Sequence, residues 1–435
     1  MKATARQQGF IIPLLLILVV TTAVTILLTQ LLGDSTETKH ARQTTMALAQ
    51  AKAALLVEAA IQQTWDKPSL FPCPDLPSSL KEGYSAGVCG STNASSLGRF
   101  PWYSLQTGVL RDGDNECLWY AVSGYQKYFP QTNITLLNED TPSMLQVLDA
   151  SNQPLGGSNN ADEIIAIVFA PATPVAGQNR SAIAGQHTQI CGGNYTATNY
   201  LESISGVAVA PMVFAQAQPS AGYNDRMLTI TRRELYAEIV RRKDFIDKIT
   251  QLTVELGKCI GTAGAANIAN IPGVANVQLG TTWNDYVAAG SYVSTSGLSG
   301  RFPASWVNAA SCPNVHNDSQ LSYLYKHWKD HFFYALSKAY APVGGSGGCG
   351  TNDCVSVNGV NYAAIVLFSG LRLSAQNRKD LSLGDITQYL EGLNASNHPN
   401  TNGNSIYQKT GVVNSFNDIL ICIPTNLTQP AIVCP

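Results

Sequence analysis

The chain has 435 residues, 45% hydrophobic and only 13% charged, against roughly 25% charged in an ordinary soluble protein; Ser, Thr, Asn, Gln and Gly fill the shortfall. That composition excludes a disordered or collagen-like chain, and 27 basic against 29 acidic residues argue against a nucleic-acid binder working through a strong basic footprint. Ten cysteines, an even number, fit an oxidising compartment, and the length gives room for about two or three domains.

Residues 1–9 form a short hydrophilic leader carrying Lys2 and Arg6, and residues 10–32 then run for 23 positions without a charge. As a helix this run spans about 35 Å, enough for a bilayer. An ordinary secretory signal has a shorter apolar core with its cleavage site after it. Here the cleavable-looking junction, Gly9-Phe10, precedes the apolar run, so a cut there leaves the hydrophobic helix on the mature chain. The basic leader predicts a single pass with the bulk of the protein on the far side of the membrane.

Leader, Gly9-Phe10 and apolar helix together resemble the class III signal of type IV pilins and type II secretion pseudopilins. The resemblance implies that a prepilin peptidase cuts after Gly9 and that Phe10 is N-methylated. Arg6-Gln7-Gln8-Gly9-Phe10 follows the pattern up to the cut. Beyond it Leu14 stands where major pilins carry glutamate at the fifth mature position, and Pro13 precedes it. Large minor pseudopilins at the filament tip also lack that glutamate. Pro13 is tolerable because the first helical turn has no intrahelical use for its N–H.

Past Gly33 the sequence continues with helix formers to Trp65. Met46, Leu48, Ala51, Leu55, Ala59 and Gln62 fall on one side, and Pro68 ends the run. One helix over residues 10–65 is roughly 84 Å long, a stem that is greasy in its first half (10–32) and amphipathic in its second (33–66).

The exported part repeats itself. Gly98-Arg99-Phe100-Pro101 returns as Gly300-Arg301-Phe302-Pro303, and Trp119-Tyr120-Ala121-Val122-Ser123 as Phe333-Tyr334-Ala335-Leu336-Ser337. Ala166-Ile167-Val168 with Gln178-Asn179-Arg180 returns as Ala364-Ile365-Val366 with Gln376-Asn377-Arg378. Tyr200-Leu201-Glu202 and Tyr223-Asn224-Asp225 match Tyr389-Leu390-Glu391 and Phe416-Asn417-Asp418. Two related head modules are expected, residues 67–230 and 231–435. Each begins with a helix: the outer stem for the first, residues 232–256 for the second, the latter opened by the capping box Thr231-Arg232-Arg233-Glu234. A long irregular stretch, a shorter helix and then strands follow, with strands expected over 163–169, 226–230, 363–368 and 418–423. The fold class is α+β, helix packed on antiparallel sheet, as pilin heads are built. Ala-Gln-Ala-Lys-Ala-Ala-Leu at 49–55, Phe71-Pro72-Cys73-Pro74-Asp75, Gly98-Arg99-Phe100-Pro101-Trp102, Leu110-Arg111-Asp112 and Cys117-Leu118-Trp119-Tyr120-Ala121 also resemble a group of large bacterial pilin-like proteins. That likeness implies architecture and export route and carries no activity.

Cys73, Cys89, Cys117 and Cys191 fall in the first module, and Cys259, Cys312, Cys349, Cys354, Cys422 and Cys434 in the second, an even number in each. The expected use is disulfides that staple loop-rich modules in a periplasm. Short spacings suggest Cys73 with Cys89, Cys349 with Cys354 and Cys422 with Cys434; the paired CxxC knuckles of a metal site are missing. Asp112, Asp114 and Glu116 put several oxygen ligands in one turn, a weak calcium candidate that lacks the twelve-residue loop pattern. His327 and His331 stand four apart without the glutamate of HExxH, so an exposed or partly buried helix face is expected. Gly344-Gly345-Ser346-Gly347-Gly348 satisfies GxSxG formally, but its flanks read as a flexible loop. Arg232, Arg233, Arg241, Arg242 and Lys243 form the basic cluster, read as a salt-bridged helix face with Glu238 to Arg242 and Asp244 to Lys248. Trp102, Trp119, Trp283, Trp306 and Trp328 are expected in the core.

These features favour a structural minor pilin or pseudopilin that is not an enzyme. The resemblance implies that it is processed after Gly9, held in the bacterial inner membrane with its head in the periplasm, and joined to other pilins through its stem at or near a filament tip. A tip adhesin or ligand-binding subunit is the second reading. A membrane-anchored envelope enzyme is the third, and no catalytic constellation supports it.

Overall fold

The computed structural model describes residues 36–61, 69–91, 94–128, 136–156, 162–206, 211–287, 292–379, 382–398, 402–409 and 416–435; the Gly9-Phe10 junction and the apolar run 10–32 lie outside them. Helix α1 (Thr36–Ile61) turns Ala47, Leu48, Ala51, Leu55 and Ala59 inward, a spacing of three and four that makes one stripe. The alanines let the helix close onto the sheet beneath it. By length and mean hydropathy (1.2) α1 is long and apolar enough to cross a membrane. Its inner stripe, however, is already covered by the sheet beneath it.

The first half carries β1 (Ser96–Arg99), β2 (Trp119–Val122), β3 (Leu145–Leu148), β4 (Pro154–Leu155), β5 (Ile164–Ala170), β6 (Ile204–Gly206), β7 (Met212–Ala215) and β8 (Arg226–Thr231). They form two four-stranded sheets, in the orders β1-β2-β5-β8 and β4-β3-β7-β6. The first is antiparallel throughout, and α1 packs on β5 and β8. In the second, β3 and β7 run parallel. Every residue of β5 is buried, because α1 covers one face and the second sheet lies under the other.

The second half holds β9 (Ser299–Arg301), β10 (Phe332–Leu336), β11 (Val355–Val357), β12 (Val360–Phe368), β13 (Ile406–Tyr407), β14 (Ile419–Pro424) and β15 (Ile432–Val433). Here β9, β10, β12 and β14 pair in that order, all antiparallel, the arrangement of β1, β2, β5 and β8. Gly98 faces Tyr120 as Gly300 faces Tyr334. Tyr120 faces Val168 as Tyr334 faces Val366, and Val168 faces Leu228 as Val366 faces Ile421. Even the irregularity recurs, between Ile164 and Ala166 and between Tyr362 and Ala364. The repeated motifs therefore occupy the same register in two sheets.

Three expectations need correction. The helix read over 232–256 is two helices, α2 (Arg232–Arg241) and α3 (Lys243–Ala266). Arg242 between them is extended, at φ −75° and ψ 114°, and its guanidinium donates to the carbonyl of Ala60 near the end of α1. That contact favours the break: residue 242 serves one of the carbonyls a helix end leaves free. The counterpart of α1 is thus α3, which lies on β12 and β14, while α2 runs against α1. Second, a shorter helix exists only in the second half among the described residues, α4 (Ser319–Trp328), capped by the Asp318 carboxylate. Between β1 and β2 the first half has a loop instead. Third, the sheets are not purely antiparallel, since β11 also pairs β13 in parallel. One hydrophobic core runs through both halves, from Leu55 and Tyr120 to Leu256 and Val366.

Candidate functional site

The repeated motifs meet in space. Arg99 and Arg301 close β1 and β9; Gln178 with Arg180, and Gln376 with Arg378, follow β5 and β12; Asp225 and Asp418 stand just before β8 and β14. At this end of each sheet a tyrosine lies between two guanidiniums. The ring centroid of Tyr200 is 5.7 Å from Arg99 and 4.7 Å from Arg180, and that of Tyr389 is 4.6 Å from Arg301 and 4.4 Å from Arg378, within cation–π range. Arg180 Nε donates to the Asn199 carbonyl at 2.9 Å and Arg378 Nε to that of Gln388 at 2.6 Å. Gln178 and Gln376 accept from the same arginines and donate to Glu202 and Glu391. The result is a closed polar clasp that ties two loops to the end of the sheet. Arg99, Tyr200, Arg301, Arg378 and Tyr389 are at most 2% exposed, while Gln178, Arg180 and Glu202 of the first clasp are half-buried. Constant spacing in the sequence picks out these residues, but not that they converge.

The two clasps differ in where the last arginine sends its charge. Arg180 pairs with Glu116 of its own half at 3.1 Å, whereas Arg378 reaches Glu139 of the other half at 2.5 Å. Residues 136–141 insert between elements of the second half. Asn138 Nδ2 donates to the His327 carbonyl and to Asp330 Oδ1, each at 2.8 Å. Arg372 N donates to Glu139 Oε1 at 2.8 Å, and the Arg372 guanidinium pairs with Asp140. His331 Nε2 lies 3.2 Å from Asp140 Oδ2 and 3.7 Å from Asp330 Oδ2. Burial alone would push the Asp140 carboxyl up, but Arg378 and Arg372 outweigh it and hold it well below the usual carboxylate range; burial pushes Asp330 up. Glu139, Asp140 and His331 bring ligand-type atoms within 4.8 Å of one another. Both Glu139 oxygens already accept from Arg372 N, and guanidiniums fill the place a cation would take. The chemistry is that of an ion-paired junction between the halves. Glu139, Asp140, Arg372 and Asp330 carried no sequence signal, because each lies outside the repeated motifs that drew attention.

The other anticipated residues are placed as follows. All ten cysteines are paired, Cys73 with Cys89, Cys117 with Cys191, Cys259 with Cys312, Cys349 with Cys354 and Cys422 with Cys434. Short spacing suggests three of these pairs; the two long-range ones follow only from the fold. In the acidic turn, Asp112 Oδ1 accepts from Asp114 N and Glu116 N, each at 2.9 Å, and Oδ2 from Ala172 N at 2.8 Å. Burial raises the Asp112 carboxyl against the pull of those three donors. Asp114 faces His40 at 3.4 Å and Glu116 faces Arg180, so each carboxylate has a protein partner. Beside this turn lies a cleft of ≈ 410 Å³, lined by Glu37, His40, Thr44, Asp114, Asn224 and Arg226 among others.

Both histidines depart from expectation. His327 and His331 are buried, at 1% and 0% exposed, and His331 sits in the turn after α4. Ser346 is on an exposed loop with its hydroxyl on the Gly348 carbonyl, away from any strand-to-helix elbow. In the basic cluster the pairs are Arg241 with Glu238, Arg242 with Asp244 and Lys243 with Asp247, and Arg232 is buried against Glu163. Trp119, Trp283 and Trp328 are buried, while Trp102 and Trp306 are half-buried.

In comparisons with known proteins, no family model, no curated protein and no solved structure matches the chain.

Proposed function

We propose that the chain is a structural subunit of the minor pilin or pseudopilin kind. In this reading it is cut after Gly9 by a prepilin peptidase, methylated at Phe10 and held by residues 10–32 in the bacterial inner membrane. It then joins other pilins through its stem at or near the tip of a type IV pilus or type II secretion pseudopilus. The observation that carries the reading is an order along the chain: Gly9-Phe10, then 23 uncharged residues, then a helix, Thr36–Ile61, whose inner stripe packs on an antiparallel sheet. A bilayer-length segment leading into a head-bound helix is what a stem must be. Five disulfides support an oxidising destination for the head. The size of the head supports a tip position, since a helical shaft crowds large heads.

The test is processing. Co-expressed with a prepilin peptidase, the wild-type chain should lose its nine-residue leader, while Gly9→Val should stay full length in the membrane. A wild-type chain that the peptidase leaves intact would remove the basis of the proposal.

A further inference from the structure

At the base of each clasp two acidic side chains face each other. Asp225 and Asp418 are 5% and 7% exposed. Asp225 Oδ2 accepts from Glu202 N at 2.7 Å and Ser203 N at 3.0 Å; Asp418 Oδ2 accepts from Glu391 N at 3.2 Å and Asn394 Nδ2 at 2.8 Å. In return, Asn224 N donates to Glu202 Oε2 at 3.1 Å and Asn417 N to Glu391 Oε2 at 3.0 Å. In both halves the other aspartate oxygen, Oδ1, is buried and accepts from no N–H or O–H. These reciprocal bonds hold the two acidic side chains of each pair side by side, and the orphaned Oδ1 is where a proton would sit without displacing any donor.

We propose that Asp225 with Glu202, and Asp418 with Glu391, are acid–carboxylate pairs that each hold one proton at neutral pH, fastening the strand that closes each half to the loop of its clasp.

The surroundings favour the proton over two charges. The nearest cations are committed elsewhere: Arg180 to Glu116, and Arg378 to Glu139 and Asp140. Gln178 and Gln376 stand between those guanidiniums and the glutamates. Tyr223, the other titratable group facing the first pair, has its phenol pushed up to about 12, first by burial, so it adds no charge; Phe416 holds the equivalent position in the second half. Two like charges in a dry site cannot both ionise cheaply, and one proton then belongs to the pair. Burial first, then the neighbouring glutamate, pushes Asp225 up to about 8 and Asp418 well above its ordinary value. The same device built twice from motifs about two hundred residues apart marks it as part of the design of the head. It stands independently of how the N-terminus is processed.

The test is infrared spectroscopy of the full-length protein in detergent, with near-ultraviolet circular dichroism to monitor folding. At pH 7 the C=O stretch of un-ionised carboxylic acid should be present. It should weaken in Asp225→Asn and weaken further in the Asp225→Asn/Asp418→Asn double variant, leaving the share of other buried acids such as Asp330, and the part that Asp225→Asn removes should fade in the wild type as pH rises through about 8. Should the double variant fail to fold, Glu202→Gln should lower the pH at which the part of the band removed by Asp225→Asn titrates. No such band at pH 7, a band unchanged in a folded double variant, or a band that appears only after chelation of a bound cation would overturn the proposal.

Discussion

Glu139 of the first half holds Arg378 of the second at 2.5 Å, with the guanidinium shut away from water and the carboxylate nearly so. Its counterpart Arg180 stays within its own half, on Glu116. The same repeated arginine thus serves as an internal tie in one clasp and as the link between halves in the other. Removing it from the link leaves Glu139 and Asp140 with one fewer cation in a dry site. Arg378→Ala should destabilise the protein by about 3–5 kcal/mol. Arg180→Ala should cost less, because the Glu116 side chain keeps 25% of its exposure and water screens it. Denaturant unfolding of the two variants side by side checks the order; equal losses would deny the junction its special weight.

Acid should weaken the second half through His398. The ring is buried, its Nε2 donates to the Gly300 carbonyl at 2.9 Å, and burial holds its pKa down to about 4. A group depressed in the folded state costs stability as pH falls from its unfolded value, about 6.5, towards the folded one. The expected loss is about 3 kcal/mol by pH 4. His398→Asn, which keeps a donor, should flatten stability over that window; an unchanged slope would point to other groups.

The α2 cap is a smaller, cleaner test. Thr231 accepts from Glu234 N while the Glu234 carboxylate accepts from Thr231 N at 2.8 Å, and Lys52 of α1 pairs with the same glutamate. Thr231→Ala should cost about 1 kcal/mol, read by thermal unfolding. A loss several times larger would show that the cap also holds α1 in place.

The disulfides should rank by the loop each closes. Cys259 and Cys312 are 53 residues apart, Cys349 and Cys354 only 5. In the chain-entropy account, removing the first bond should cost about 4 kcal/mol and the second about 2. Paired Cys→Ala variants compared by denaturant midpoint test the order, which strain in either loop would reverse.

How much of this was legible in the sequence follows from which signals are local. The motif series around Gly98 and Gly300, Ala166 and Ala364, and Asp225 and Asp418 shows the repeat, since spacing survives in one dimension. The capping box at Thr231 is local chemistry and equally readable. The break at Arg242 is not, because its partner is the Ala60 carbonyl, far away in the chain. β2 and β10 are buried on both faces, so they read as continuous apolar runs with no period of two, and β9 is only three residues long. His331 looked like one of a helical pair, yet it is buried by Asp140, which the first half supplies.

Whether the chain is a pilin-type subunit turns on its first residue. Mass spectrometry of the N-terminus of the protein purified from native membranes should find Phe10 first and carrying a methyl group on its amine. A chain that still begins at Met1, or that begins beyond Leu32, would contradict the stem-and-head reading.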